Sequence, residues 1–503
     1  MEKNFIEEEF FNHYKKIRNQ IRKYNSKELF NFCIKYLYLK TDDPFYELKK
    51  QPWLILLLIK WIFTKNNYQR GGKQKFDHGD FNKIIQALKD LGGHVRMPNQ
   101  YEHWGLFFRN LAYQQTIYQI PMSPMRFCRQ KILFGNLNQN NYIRSSFYKE
   151  TGLELETVID LSLILFTYYI SKDEKSPQIN KKWFNSIKLL YNDAQIQKFL
   201  SSLSIEYYKI SKFIKQMQKN NINSEDFYEQ TPFLKYPLIK LNENYICLYP
   251  KILYRSIEDL VYNRLRSIET NKFMNKFGKI FENYIAKGLK YAKLKFVDEY
   301  ILKKELIGEG KVVDFLINEN GSNVLIDAKA VELSYKGGVT HEKKIVEDRV
   351  KTSIIKAINQ TYDVVLRLHE TKSKNEIIKS RDINYLIIIT FKELYLGTAK
   401  FFYEVIAQNR IDKIIGKYHK EMIPLENIYF ITIDDFDLLI EYIYKLNKTL
   451  TETIEKAKKS DNKIDTMKFE FSQHLNEWKV FDYPKYIKKE YESLISKFYN
   501  ILN

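Results

Sequence analysis

Only three cysteines occur in 503 residues, and Cys33, Cys128 and Cys247 lie far apart, with none of the short spacings of a metal knuckle. Neither a disulfide framework nor a zinc finger is expected, and a reducing compartment suits such a chain. The eight histidines form no HExxH or comparable pair, which argues against a zinc enzyme. A nucleotide-cradling glycine loop is also missing, which disfavours chemistry on small nucleotides. Long apolar runs are absent too. The greasiest stretch, WLILLLIKWIF at 53–63, is interrupted by Lys60 and falls short of the roughly 20 residues a bilayer span needs, so it reads as a buried helix. The opening MEKNFIEEEFF has no apolar signal core, so a cytoplasmic protein without membrane contact is expected. No internal repeat, low-complexity tract or disordered arm stands out.

What remains is an ordinary globular composition, 44% hydrophobic and 28% charged, long enough for two or three domains. Lysine and arginine outnumber the acids 81 to 61, and the resulting +20 attracts polyphosphates through Coulomb forces and counterion release. The same chain is rich in Asn, Ile and Tyr as well as Lys, a bias that an AT-rich genome supplies without any functional demand. Charge therefore supports a nucleic-acid partner and does not establish one.

Helical periodicity dominates residues 1–231. FNKIIQALKDLGG at 81–93 puts Ile84, Ile85, Leu88 and Leu91 on one face and stops at a glycine pair, and LETVIDLSLILFTYYI at 155–170 reads as a core helix. Between them, residues 99–131 are aromatic, basic and irregular, a mixture that suits core packing better than base stacking. YPLIKLNENYICLYP at 236–250 reads as a hairpin near a domain junction, followed by a helix over about 252–293. Strands are then expected at 295–307, 311–317 and 323–333, with Asn320-Gly321 as a strong hairpin turn between the last two. A polar loop leads to a helix over about 346–368, and buried strands are expected at 384–391 and 427–433 before a helical, Lys-rich remainder.

The run VLIDAKAVE raises the central question, because a core strand has little reason to end in Asp327 and Lys329. Residues two apart on a strand share a face, so these two project side by side. The Asn320-Gly321 hairpin brings Asp314, in VVDF, near register with Asp327. Two carboxylates and an ammonium then converge at one end of a sheet, a donor set suited to Mg2+ with a lysine beside the attacking water. Glu282 lies on a helix between Gly278 and Ala286, small residues that allow close approach, and Gln360 borders an apolar stripe on the later helix. Each of these alone has a bland explanation as a solvated end or a boundary residue. Their order makes the case: helix Glu, strand Asp, turn, strand Asp-x-Lys, helix Gln, strand.

That order resembles the PD-(D/E)XK nuclease superfamily, the restriction-endonuclease-like fold, over about 271–391. The residue before Asp314 is Val313 rather than proline, and the second acid is Asp327. The resemblance implies an α/β nuclease core of αβββαβ order, a mixed central sheet flanked by helices. It assigns Asp314, Asp327 and Glu282 as metal ligands for Mg2+, with Mn2+ able to substitute. Lys329 would position water and stabilise the phosphorane, Gln360 would support the site, and the products would carry a 5′-phosphate and a 3′-hydroxyl. In the loop after the Asp-x-Lys strand, Lys336, Lys343 and Lys344 are candidates for contact with substrate phosphates.

The resulting organisation is a mainly helical recognition or regulatory domain at 1–231, a hairpin and connecting helix at 232–270, a nuclease domain at 271–440 and a helical basic tail at 441–503. The expected function is metal-dependent endonucleolytic hydrolysis, with DNA favoured, by an effector of bacterial antiphage defence or restriction. A protein trigger would dock on the helical domain, and a homodimer is an arrangement that would cut both strands. The alternatives are a trigger-activated ribonuclease acting, for example, on tRNA, and a non-catalytic nucleic-acid-binding scaffold of the same fold.

Overall fold

The computed structural model describes residues 2–39, 49–68, 71–170, 176–217, 222–333, 335–418 and 421–502. It is a mixed α/β protein with two mixed sheets, and its chain divides into two compact units, Met1–Ile268 with Glu490–Asn503, and Glu269–Lys489. No helix among the described residues is long and apolar enough to cross a membrane.

The first unit is mainly helical. The apolar run expected as a buried helix is one, Pro52–Ile62, with proline at its first turn. Lys60 is buried within it and bonds to Asp226 at 2.7 Å and Glu229 at 2.6 Å. Leu155–Ile170 is buried almost all round, as its composition predicts. The segment expected to be irregular instead folds into helices Trp104–Gln119 and Met125–Gln130. Its polar residues Arg109, Asn110 and Gln114 are buried, while Trp104 and Phe108 face solvent. The 236–250 hairpin forms as β3 (Leu238–Leu241) and β4 (Asn244–Cys247), joined at Asn242, which takes φ 56°. It is not isolated. Two three-residue strands, β1 (Gln178–Asn180) and β2 (Ser204–Glu206), extend it to a sheet of order β1-β4-β3-β2. The helix expected over 252–293 is three helices, Pro250–Glu258, Leu260–Ile268 and Thr270–Tyr291, and the division between units falls after the second.

The second unit is built on a five-stranded sheet in chain order: β5 (Phe296–Asp298), β6 (Phe315–Glu319), β7 (Ser322–Lys329), β8 (Ile383–Thr390) and β9 (Ile428–Thr432). The first three pair antiparallel, and β7, β8 and β9 run parallel, so β7 is where the sheet changes sense. Every residue of β8 from Asn384 to Thr390 is buried. Because successive residues face opposite sides, both faces of the sheet are covered there. Asn320 (φ 51°) and Gly321 (φ 74°) are both left-handed, the geometry a two-residue turn needs to match the twist of β6 and β7. On the Thr270–Tyr291 helix, a Cβ at Gly288 would lie 2.5 Å from the Phe436 ring, so glycine lets the Ile433–Leu446 helix approach.

Three expectations change here. The strand expected over 295–307 is only three residues long, because Asp298 accepts from the Ile301 N–H and starts the helix Glu299–Glu305. The strand expected from 311 begins at Phe315, leaving Lys311–Asp314 in irregular backbone just before it. The helix expected from 346 begins at Lys343 and continues, through a π-helical turn at Lys351–Ile355, to Glu370. Residues 441–489 pack into this second unit.

Just beyond β8, Glu393 accepts from the N–H groups of Leu394 and Tyr395. Although the residue is partly exposed, its carboxyl is enclosed, and burial followed by the charge of Asp435 raises its pKa to about 7, with Asp434 adding to the effect and Glu470 nearby. A carboxyl raised in this way contributes fully below about pH 4.5, and that contribution is lost as pH climbs through 7. Glu393→Gln is therefore expected to leave stability unchanged near pH 4.5 and to raise it at pH 8 by on the order of 1–3 kcal/mol, read from denaturant midpoints at both pH values.

Candidate active site

The sheet geometry aligns the two aspartates. Phe315 pairs with Ile326, so Asp314 just before β6 comes to the end of β7 that carries Asp327, close enough to feel its charge. Asp314 Oδ2 accepts the Ala328 backbone N–H at 2.6 Å, which ties the irregular segment before β6 to the end of β7. Asp327 is 1% exposed, and its Oδ1 accepts from Lys329 Nζ at 2.7 Å. Its other oxygen, Oδ2, is buried without a hydrogen-bond partner. A buried, unsatisfied carboxylate oxygen is costly, and a cation or a donor brought by substrate would relieve it.

Glu282 reaches the same place from the Thr270–Tyr291 helix, whose buried face carries Phe273, Phe277, Phe281 and Ile285. Phe277 and Phe281 both pack edge-on against Phe391, at the exit of β8, and so set the rotation of the helix. Glu282, Glu299 and Asp314 each place a carboxylate oxygen within 4.8 Å of the other two, an arrangement able to hold a metal ion. Asp327 lies outside that trio but acts on it. Burial first, then the charge of Asp327 and also that of Glu282, push the Asp314 carboxyl up to about 8, while the Ala328 N–H and Lys329 pull the other way. Like charges this close call for a proton or a divalent cation.

Glu299 is a residue that the sequence expectations left out. Its signal was local: Asp298 as an N-cap, acid in the first turn, and Lys303 and Lys304 in the last. The glutamate bonds to Lys303 at 2.6 Å, and Glu282 bonds to Lys279 at 2.7 Å, so both carboxylates are already oriented. Gln360 Nε2 donates to the Val312 carbonyl at 3.4 Å, a long bond that joins the Lys356–Glu370 helix to the segment carrying Asp314.

Two further lysines belong to this edge. Lys356, one turn before Gln360, has its pKa lowered chiefly by contact with Lys311, then by burial and by the charges of Lys311 and Lys329, with Asp327 opposing. Lys356 is thus within electrostatic reach of Lys311, Lys329 and Asp327. Of the loop lysines, Lys343 and Lys344 are exposed on the first turn of the Lys343–Val350 helix rather than on a loop, where their charge opposes the helix dipole. The side chain of Lys336 lies outside the described residues. Asp327 and Lys329 stand at the C-terminal end of a parallel strand, beside Thr390 of β8, where open α/β sheets carry their ligand crevices. No protein-family model, curated protein or solved structure matches this chain.

Proposed function

We propose that the protein is a metal-dependent nuclease that hydrolyses phosphodiester bonds, with DNA the favoured substrate. The observation that carries this reading is the meeting of Asp314, Asp327 and Lys329 at one strand end, with Glu282 and Glu299 within ligand distance of Asp314. The oxygen-only donor set fits Mg2+, with Mn2+ as substitute, and the unsatisfied Asp327 Oδ2 is a further oxygen for it. Asp314, Glu282 and Glu299, with Asp327 alongside, would hold such an ion, which would supply Lewis-acid neutralisation of the scissile phosphate.

The chain's own groups do the rest. Asp327 holds the Lys329 ammonium at the reaction edge, where it orients the attacking water and faces the charge that grows on the phosphorane oxygens. Lys311 and Lys356 form a cationic rim that receives a phosphate and is relieved of mutual repulsion by it. Gln360 keeps the Asp314 segment against its helix. By fold-level analogy, we assign the enzyme to antiphage defence or restriction.

The direct test is incubation of purified protein with plasmid DNA and with total RNA, in Mg2+ and in EDTA. Metal-dependent loss of one polymer supports the reading and identifies the substrate. Binding to both without cutting by either would return the protein to the class of non-catalytic binders. The lysine rim makes a separate prediction: Lys356→Ala weakens nucleic-acid binding about equally across sequences and reduces the slope of log K against log salt by roughly 1, the signature of one lost phosphate contact. A fluorescence-anisotropy salt titration measures it.

A further inference from the structure

A second cluster of metal-ligating side chains lies in the first unit, on elements that the proposed nuclease chemistry does not use. Glu9 and His13 are one turn apart on the helix Glu2–Ile21, and His94 stands on the 3-10 turn Gly92–His94 that ends the helix His78–Leu91. One ligand atom from each of the three lies within 4.8 Å of the other two. We propose that Glu9, His13 and His94 form a binding site for a transition-metal ion of the Zn2+ class, which staples the first helix to the end of the His78–Leu91 helix.

The hydrogen bonds around the rings support this assignment. His13 Nδ1 lies 3.0 Å from the Glu9 carbonyl, which can only accept, so the ring donates through Nδ1. His94 Nδ1 lies 2.8 Å from the Glu9 carboxylate Oε1, so these two candidate ligand atoms already stand side by side. In a neutral His13 imidazole the lone pair then sits on Nε2, the nitrogen left to join Glu9 and His94 around an ion. A backbone carbonyl on the far nitrogen, as His13 has, is a support that fixes tautomer and raises basicity in metal-binding histidines. The rings are also stacked, with centroids 3.4 Å apart and planes 13° from parallel.

The donor chemistry separates this site from the other one. Two imidazoles and a carboxylate suit Zn2+ and its neighbours, which bind nitrogen well, whereas Mg2+ prefers oxygen alone. Three protein ligands leave a fourth tetrahedral position for water. Ligand atoms around tetrahedral zinc stand roughly 3.3–3.6 Å apart, so binding requires the trio to draw together and one of the stacked rings to turn until its in-plane lone pair meets the ion. The side chains have room for it, since that of Glu9 is 42% exposed and that of His94 28%.

The test uses full-length protein without a polyhistidine tag, stripped with chelator and dialysed into Mg2+ to occupy the oxygen site. Zn2+ alone is titrated by calorimetry, and Co2+ serves as a spectroscopic probe. The expected result is one Zn2+ per chain at micromolar affinity or better, visible d–d bands from Co2+, and a rise in melting temperature with Zn2+. His94→Ala and, separately, His13→Ala should each weaken Zn2+ by at least the roughly 10–100-fold that loss of a supporting group costs. Both should keep the far-UV dichroism of the parent, since both side chains are partly exposed. Asp314→Ala should retain the Zn2+, which keeps this site distinct from the proposed nuclease centre. Absence of Zn2+ binding in the parent, or binding by either histidine variant as tight as the parent's, would overturn the assignment.

Discussion

Asp327→Asn is expected to cut the rate of the proposed Mg2+-dependent phosphodiester cleavage by about 10²–10³-fold, the size of effect seen when one preorganised electrostatic contact to a transition state is removed. The substitution changes one oxygen to nitrogen, so packing is nearly preserved and the loss belongs to chemistry. Two functions fail together. The carboxylate whose Oδ1 holds the Lys329 ammonium at 2.7 Å becomes a neutral amide, and the buried Oδ2 no longer offers a charged ligand. Neighbouring Asp314 also responds, because the Asp327 charge is one of the causes of its raised pKa. Single-turnover cleavage at saturating enzyme measures the loss, and unchanged nucleic-acid affinity with a collapsed rate is the expected split. Wild-type rates in the variant would remove Asp327 from the mechanism.

The largest expected effect on stability lies in the first unit. Lys60→Met should destabilise the fold by about 3–5 kcal/mol, the range for breaking a buried ion pair from one side. Lys60 is 4% exposed, and its ammonium meets two carboxylates, Asp226 at 2.7 Å and Glu229 at 2.6 Å. Burial by itself would lower the lysine pKa, but the two acids more than offset it and the net shift is upward. Methionine fills the space of the stem and takes the ammonium away from both acids, though Asp226 keeps the Asn223 N–H. The companion triple change Lys60→Met, Asp226→Asn, Glu229→Gln should recover a large part of the loss, because the penalty comes from stranded charge rather than from missing volume. Urea unfolding followed by far-UV dichroism distinguishes the two outcomes.

Much of the site was legible because its pieces obey short-range rules. Asn320-Gly321 announces a two-residue turn, and once the turn is placed, the two-residue period of strands puts Asp314 opposite Asp327 and Lys329 beside it. The continuous apolar run of β8 ended within a residue of its expected bounds, since full burial leaves no polar alternation to misread. Glu299 was hidden for the opposite reason. In EYILKKEL the apolar residues alternate loosely enough to mimic a strand, while the capping aspartate just before them decides for a helix. Lys311 and Lys356 escaped because lysine is so common along this chain that no single one carries a signal. Their proximity depends on how a helix and an irregular segment come together in space. The three-residue strands β1 and β2 were missed because they are too short for any periodicity to register.

The tight turn between β6 and β7 also limits how this protein can vary by insertion and deletion. A two-residue connection with both residues left-handed leaves no slack, so one residue added between Asn320 and Val324 must be absorbed by sliding β7 against β6 or by bulging it. A slide of one position would exchange the two faces of β7, turning Asp327 and Lys329 away from Asp314 and bringing Ile326 and Ala328 in their place. Length changes here should thus silence the site as completely as loss of the aspartate itself, while substitutions at the exposed turn cost only the strain of a side chain on a left-handed backbone, most of all at Gly321. Across a library of single-residue insertions, the hairpin would stand out as a frame that tolerates new letters but no change in count.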